Sequence, residues 1–196
     1  MTNADTRGSL SAQSIVAEFA ALRSEIEDRS GHQRALVALN LTVLGTVTGY
    51  VLVSKANLIL LVVPFFSTLL GLLWLDHAVV IGKLGAYLGE ELRDELVTIT
   101  GNPRIMGWEQ KAWKFEEHGF QRFVLFGIPV FGAFGGGSLA ALIVAWSALR
   151  SGGHYALWMV DALLLLMYAI SAGVFLLRPN VFIPRRHRGR KANVRL

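Results

Sequence analysis

Four runs of apolar residues, at about 35–53, 58–75, 123–149 and 155–177, stand out between charged stretches. A bilayer core of about 30 Å takes about 20 helical residues to cross, and each run comes close to that length or exceeds it. Inside lipid only helices and closed barrels satisfy the backbone. None of the runs alternates with the two-residue period of a barrel strand. The pattern therefore predicts an all-α fold, a four-span transmembrane helical bundle made of two hairpins.

The polar stretches beside the first hairpin keep a helical pattern. Ile15, Phe19, Leu22 and Ile26 step by four, three and four, which makes a heptad seam. The same spacing passes Arg29 and Gln33, returns to Leu36, and reaches Asn40 and Val43, so a single helix over about 11–53 is predicted. After the second run, Val80, Leu84, Leu88, Leu92, Leu96 and Ile99 step mostly by four, with Lys83, Glu90, Glu91, Asp94 and Glu95 on the polar faces. Gly101-Asn102-Pro103 is a strong breaker. Each helix would be about 60 Å long at 1.5 Å per residue, with roughly half of it beyond the membrane as a stalk. Antiparallel pairing about a turn near Lys55 sets Gln33 and Arg34 level with Asp76 and His77. Asp76 ends an apolar run, where an unpaired carboxylate is costly. It is expected to bond with Arg34, Arg29 or Gln33, or else to be solvated by headgroup water.

The chain then divides into a long hairpin (1–103), a linker (104–122), a second hairpin (123–177) and a tail (178–196). In the linker, Trp108, Trp113, Phe115 and Phe120 interleave with Lys111, Lys114, Glu116 and Glu117, which suits an amphipathic helix at the interface. The third run carries Gly132, Gly136 and Gly137, and the first carries Gly45 and Gly49. Small residues at this spacing let helix backbones approach closely in lipid; the triple glycine at 135–137 is read as such packing or as a flexible gating point. Asp161 lies within the fourth run. A carboxylate at a bilayer centre costs about 2.5–3.5 kcal/mol on insertion scales, and intramembrane carboxylates are functional candidates by default. Three readings stand: ion or proton passage, a structural bond to His154, Arg150 or Lys55, or snorkelling to the outer interface. Asn40, with Thr42, Thr46 and Thr48, gives the first span a polar stripe that could face it.

Charge sets the orientation. Seventeen of the 19 Lys and Arg residues fall in the N-terminal stretch, the middle stretch and the tail; Lys55 and Arg150 alone lie in the two short connections. Basic residues stay on the cytoplasmic side, so both termini are expected there, in a bacterial inner (plasma) membrane. The first apolar run begins behind more than thirty residues, so a retained span is expected rather than a cleaved signal peptide. The tail has seven basic residues and no acid, which reads as a topology determinant and a contact for anionic lipids. Acids dilute the basic residues elsewhere, and no nucleic-acid partner is expected.

Composition agrees with this picture and narrows the chemistry. The chain is 53% hydrophobic and 17% charged, whereas soluble domains carry about 25% charged residues. There is no cysteine, so thiolate metal sites and cysteine nucleophiles are excluded. The five histidines lack metal-ligand spacing, and no nucleophile elbow is present. No cofactor is implied and no catalysis is expected.

Leu22-Arg23-Ser24-Glu25-Ile26-Glu27-Asp28-Arg29, followed by Gln33 and, after the second cytoplasmic helix, Gly107-Trp108-Glu109, resembles uncharacterised bacterial multi-span membrane proteins built on a long helical hairpin. More loosely, the hairpin is similar to the SLATT-type two-span effectors of bacterial conflict systems. That resemblance implies pore formation. The chain departs from it by its second hairpin and by having no sensor or catalytic domain. Together these readings suggest a self-associating pore, channel or membrane-disrupting component, a homo-oligomer through its hairpins. The alternatives are a non-conducting scaffold that docks a cytoplasmic protein on its stalk, and a small transporter.

Overall fold

The computed structural model describes residues 3–102, 105 and 127–177. The greater part of the expected interfacial linker, residues 123–126 of the expected third span, and the basic tail lie outside the described residues. Every regular element among the described residues is helical.

Helix α1 runs unbroken over Asn3–Ser54. No proline precedes Pro64, and the glycines in it cost only about 1 kcal/mol each as helix. It ends at Lys55, whose φ of 59° is left-handed. The Lys55 N–H closes the helix on the Val51 carbonyl at 2.8 Å, the usual way such a residue satisfies a terminal carbonyl. A 3₁₀ turn, Asn57–Leu61, leads into α2, Val62–Tyr87. Pro64 sits in the first turn of α2, where a missing N–H leaves no hydrogen bond unmade. A π-helical turn, Leu88–Leu92, carries α2 into α3, Arg93–Thr100. Gly101, at φ 65°, stops it with its N–H on the Val97 carbonyl.

The second hairpin begins with α4, Ile128–Val130, passes through a π-helical stretch, Phe131–Gly136, and continues as α5, Gly137–Trp146. After a short turn, Ser151 caps α6, Gly152–Leu177, by accepting the His154 N–H at 3.4 Å. Ala12–Ser54, Asn57–Thr100 and Gly152–Leu177 are each long and apolar enough to cross a membrane. Phe131–Trp146 is apolar but shorter.

Three packed clusters run along the molecule. At the end holding both short turns, Val51, Leu60, Leu61 and Val63 pack on Ala141, Leu142, Ala145 and Leu149. In the middle, Leu70 and Leu75 pack on Val130, Phe134, Tyr168, Ala172 and Phe175. In the stalk, Ile15 packs on Leu88, Leu92 and Leu96, flanked by Phe19, Leu22, Ile26 and Ile105. The heptad seam is thus used up inside the hairpin. Leu88 and Leu92 are 0% and 1% exposed, and burying such a side chain is worth about 1.5–3 kcal/mol. Ile105, placed by the sequence in the interfacial linker, instead packs on the stalk, and its carbonyl accepts the Arg93 Nε–H at 3.2 Å.

Candidate functional site

Trp158, Asp161, Leu165, Tyr168, Ala172 and Phe175 step alternately by three and four along α6, which puts them on one face. That face turns into the bundle. Asp161 is 0% exposed. Both of its carboxyl oxygens are covered and have no hydrogen-bond partner among the described residues. The partners expected for it are elsewhere. Lys55 and Arg150 are exposed at the turns, and the His154 imidazole lies 3.4 Å from the Arg150 N–H. Snorkelling is excluded by the complete burial. About two and a half turns of helix separate Asp161 from the start of α6, and Trp158 intervenes on the same face. The Trp158 indole N–H donates to the Leu142 carbonyl at 3.0 Å, and its ring meets Trp146 edge to face at 5.1 Å.

Asn40, the other intramembrane polar candidate, is fully engaged. Its Oδ1 accepts from the Ser67 hydroxyl at 2.6 Å, and its Nδ2 donates to the Ala133 carbonyl. One side chain of α1 thereby ties α2 to the π-helical stretch. A second tie reaches the same region from α6, where the Tyr168 hydroxyl donates to the Val130 carbonyl at 3.1 Å. A π-helical stretch shifts the backbone ladder out of its four-residue step, and side chains from two other helices take up one carbonyl within it, Ala133, and one at its entrance, Val130. The polar stripe expected to face Asp161 does not exist as a unit. Asn40 points inward, while Thr42, Thr46 and Thr48 are exposed on other faces of α1.

The glycines divide in the same way. A Cβ on Gly137 would meet Leu44 Cδ2 at 2.6 Å, which marks a close approach of α5 to α1. Gly136 has only a carbonyl of its own segment near it, and Gly45, Gly49 and Gly132 face open space. These four do not bring helices of this chain together. A second close approach, at Gly71, escaped the sequence reading: a Cβ there would lie 2.7 Å from Tyr168 Cε2 and 3.1 Å from Phe134 Cβ. Gly71 stands alone in an apolar run, so spacing offered no signal.

Where the hairpin leaves its apolar part, Gln33 donates to the Trp74 carbonyl at 3.1 Å, and His32 stacks on His77 at 5.6 Å. The pairing expected for Asp76 is not made. Asp76 and Arg34 are exposed, and Arg29 binds Glu25 one turn back on its own helix at 2.6 Å. An exposed carboxylate keeps its water, so no partner is needed. In the stalk, the Tyr87 hydroxyl donates to Glu18 at 2.7 Å. That bond favours the neutral phenol and raises the Tyr87 pKa above its ordinary value, with partial burial a second cause.

Fold and site together define an all-helical protein with helices long and apolar enough to cross a membrane and, among the described residues, one buried, unpartnered carboxyl. No protein-family model, curated protein or solved structure matches the chain.

Proposed function

We propose that the chain is a four-span protein of the bacterial inner membrane, with both termini cytoplasmic, that self-associates into a pore or channel and works without catalysis. The observation that carries this reading is the outward face of α1. Thr42, Gly45, Thr46 and Gly49 lie along one side of its apolar half and are all exposed. Only 11% of the most apolar window of this helix is buried, against 50% for the helix over Asn57–Thr100. Polar and small residues on a lipid-facing surface favour contact with another helix or with water. Several copies placing this face towards a common axis would line a passage with threonine hydroxyls. The resemblance of the first half to pore-forming hairpins supports the same reading.

The absence of cysteine makes the test clean. Gly45→Cys or Gly49→Cys in membranes is expected to give disulfide-linked dimers, while Leu88→Cys in the stalk seam stays monomeric. Purified protein in liposomes is expected to release a small trapped ion. Monomers at both glycine positions together with tight liposomes would end the pore reading.

The rival is a scaffold. A shallow groove on the stalk, lined by Ile15, Asp94, Glu95, Thr98 and Ile99, favours it, since an apolar floor with two acids suits a basic, amphipathic segment of a cytoplasmic protein. Tight liposomes with a stalk-dependent partner would support that alternative.

A further inference from the structure

Among the described residues, the fully buried polar side chains find partners, with one exception. Asn40 and Ser67 bind each other, Thr68 donates to the Pro64 carbonyl, and Ser138 donates to the Phe134 carbonyl. Asp161 alone among these residues is left with neither oxygen bonded. Among the described residues, the elements that pack most against α6 are α2, α5, Asn57–Leu61 and Phe131–Gly136. No residue at 57–75 or 128–146 is titratable or charged, and the titratable groups of α2, Asp76, His77, Lys83 and Tyr87, all lie beyond Leu75, on the part of the helix away from the turns. On α6 itself the nearest titratable groups are His154 and Tyr155, towards the turn end, and Tyr168, two turns the other way with its hydroxyl on Val130. Tyr50 on α1, and Lys55 and Arg150 at the turns, are exposed.

A carboxylate enclosed without a counter-ion or a donor is among the costliest groups a protein can hold. A metal cation would need about six oxygen ligands, and a covered carboxyl with no hydrogen-bond partner, whose α6 neighbours Trp158, Ala162 and Leu165 pack into an apolar cluster, does not offer them. A proton needs neither further ligands nor room. We propose that Asp161 is a proton-binding site, occupied in the closed bundle, and that release of the proton opens the turn end around Trp158. In the step, the carboxyl O–H bond breaks, its electron pair stays on the carboxylate, and the proton passes to water. The charged group then requires solvent. The shorter way out runs about 14 Å along α6 towards the turns, at 1.5 Å per residue. Trp158 bars that way, one turn before Asp161 on the same face and bolted to the Leu142 carbonyl. This proposal does not depend on self-association or on conduction.

The test uses the full chain in liposomes, read by infrared spectroscopy and tryptophan fluorescence as pH is raised. The carbonyl stretch of a protonated carboxyl lacking a hydrogen bond is expected at neutral pH and is lost on alkalinisation. In Asp161→Asn, which keeps the shape of the side chain, that band is absent. Fluorescence is expected to shift to the red over the same pH range, with the shift lost in both Asp161→Asn and Trp158→Phe. An ionised Asp161 at neutral pH, a band that never titrates, or a band that survives in Asp161→Asn would overturn the site. A red shift that persists in Asp161→Asn would overturn its link to opening.

Discussion

Gly71 and Gly137 both admit a neighbour where a side chain would stand, but the neighbours differ. At Gly137 the obstacle is the far end of Leu44, which can rotate away. At Gly71 it is the Tyr168 ring, itself 0% exposed and held by its hydroxyl on Val130. Gly71→Ala is therefore expected to cost about 1–3 kcal/mol, the range for overpacking a filled interior, and Gly137→Ala distinctly less. Thermal unfolding of the two purified variants gives the comparison. Tyr87 supports a prediction about pH. Its bond to Glu18 raises the phenol pKa in the folded stalk, so the stability it lends is complete below the unfolded value of about 10 and is lost as pH rises through the folded value. Wild type is expected to lose stalk stability at alkaline pH by more than Tyr87→Phe does, as read by circular dichroism. Asp161 was legible in the sequence because a charge in an apolar run is conspicuous. Its lack of a partner was not legible, because that depends on which side chains of four other segments come within reach.

At the scale of elements, the π-helical stretch Phe131–Gly136 is the junction of the bundle. Asn40 takes the Ala133 carbonyl inside it from α1, and Tyr168 takes the Val130 carbonyl at its entrance from α6. Asn40→Leu would remove the tie to α2 as well, leaving the Ser67 hydroxyl and the Ala133 carbonyl without it. A loss of about 1–2 kcal/mol is expected for the two bonds together, since single interhelical hydrogen bonds in membranes are worth about 0.6–2 kcal/mol, measurable as a shift of the unfolding midpoint in denaturing detergent. The glycine run pointed to this segment, yet spacing alone left both packing and flexibility open. A change of helical step involves a rearrangement of the backbone ladder, and side-chain periodicity does not report it. The stalk was legible for the opposite reason. Ile15, Phe19, Leu22 and Ile26 form a periodic face that needs an apolar partner. Periodicity does not say which partner, and Leu88, Leu92 and Leu96 of the same chain supply it.

For the whole molecule, both short turns share one end and the stalk projects from the other. Cysteines at Ser54 and Gly152 are therefore expected to react with a membrane-impermeant maleimide from one side of intact cells or vesicles, and cysteines at Glu18 and Thr98 from the opposite side. Labelling of all four from one side would defeat the arrangement. The sequence by itself determined the helical class, the apolar stretches, the long seam and the asymmetry of basic residues. Each of these follows from a pattern along one chain: a run length, a period, or a sum of charge. Only the tertiary structure decided that the seam closes on its own hairpin, that Asn40 is bonded while Asp161 is not, that Asp76 stays in the open, and that Gly45 and Gly49 face outward. Those outcomes depend on the rotation of each helix about its axis and on its register against its neighbours. Contacts between residues far apart in the chain set both.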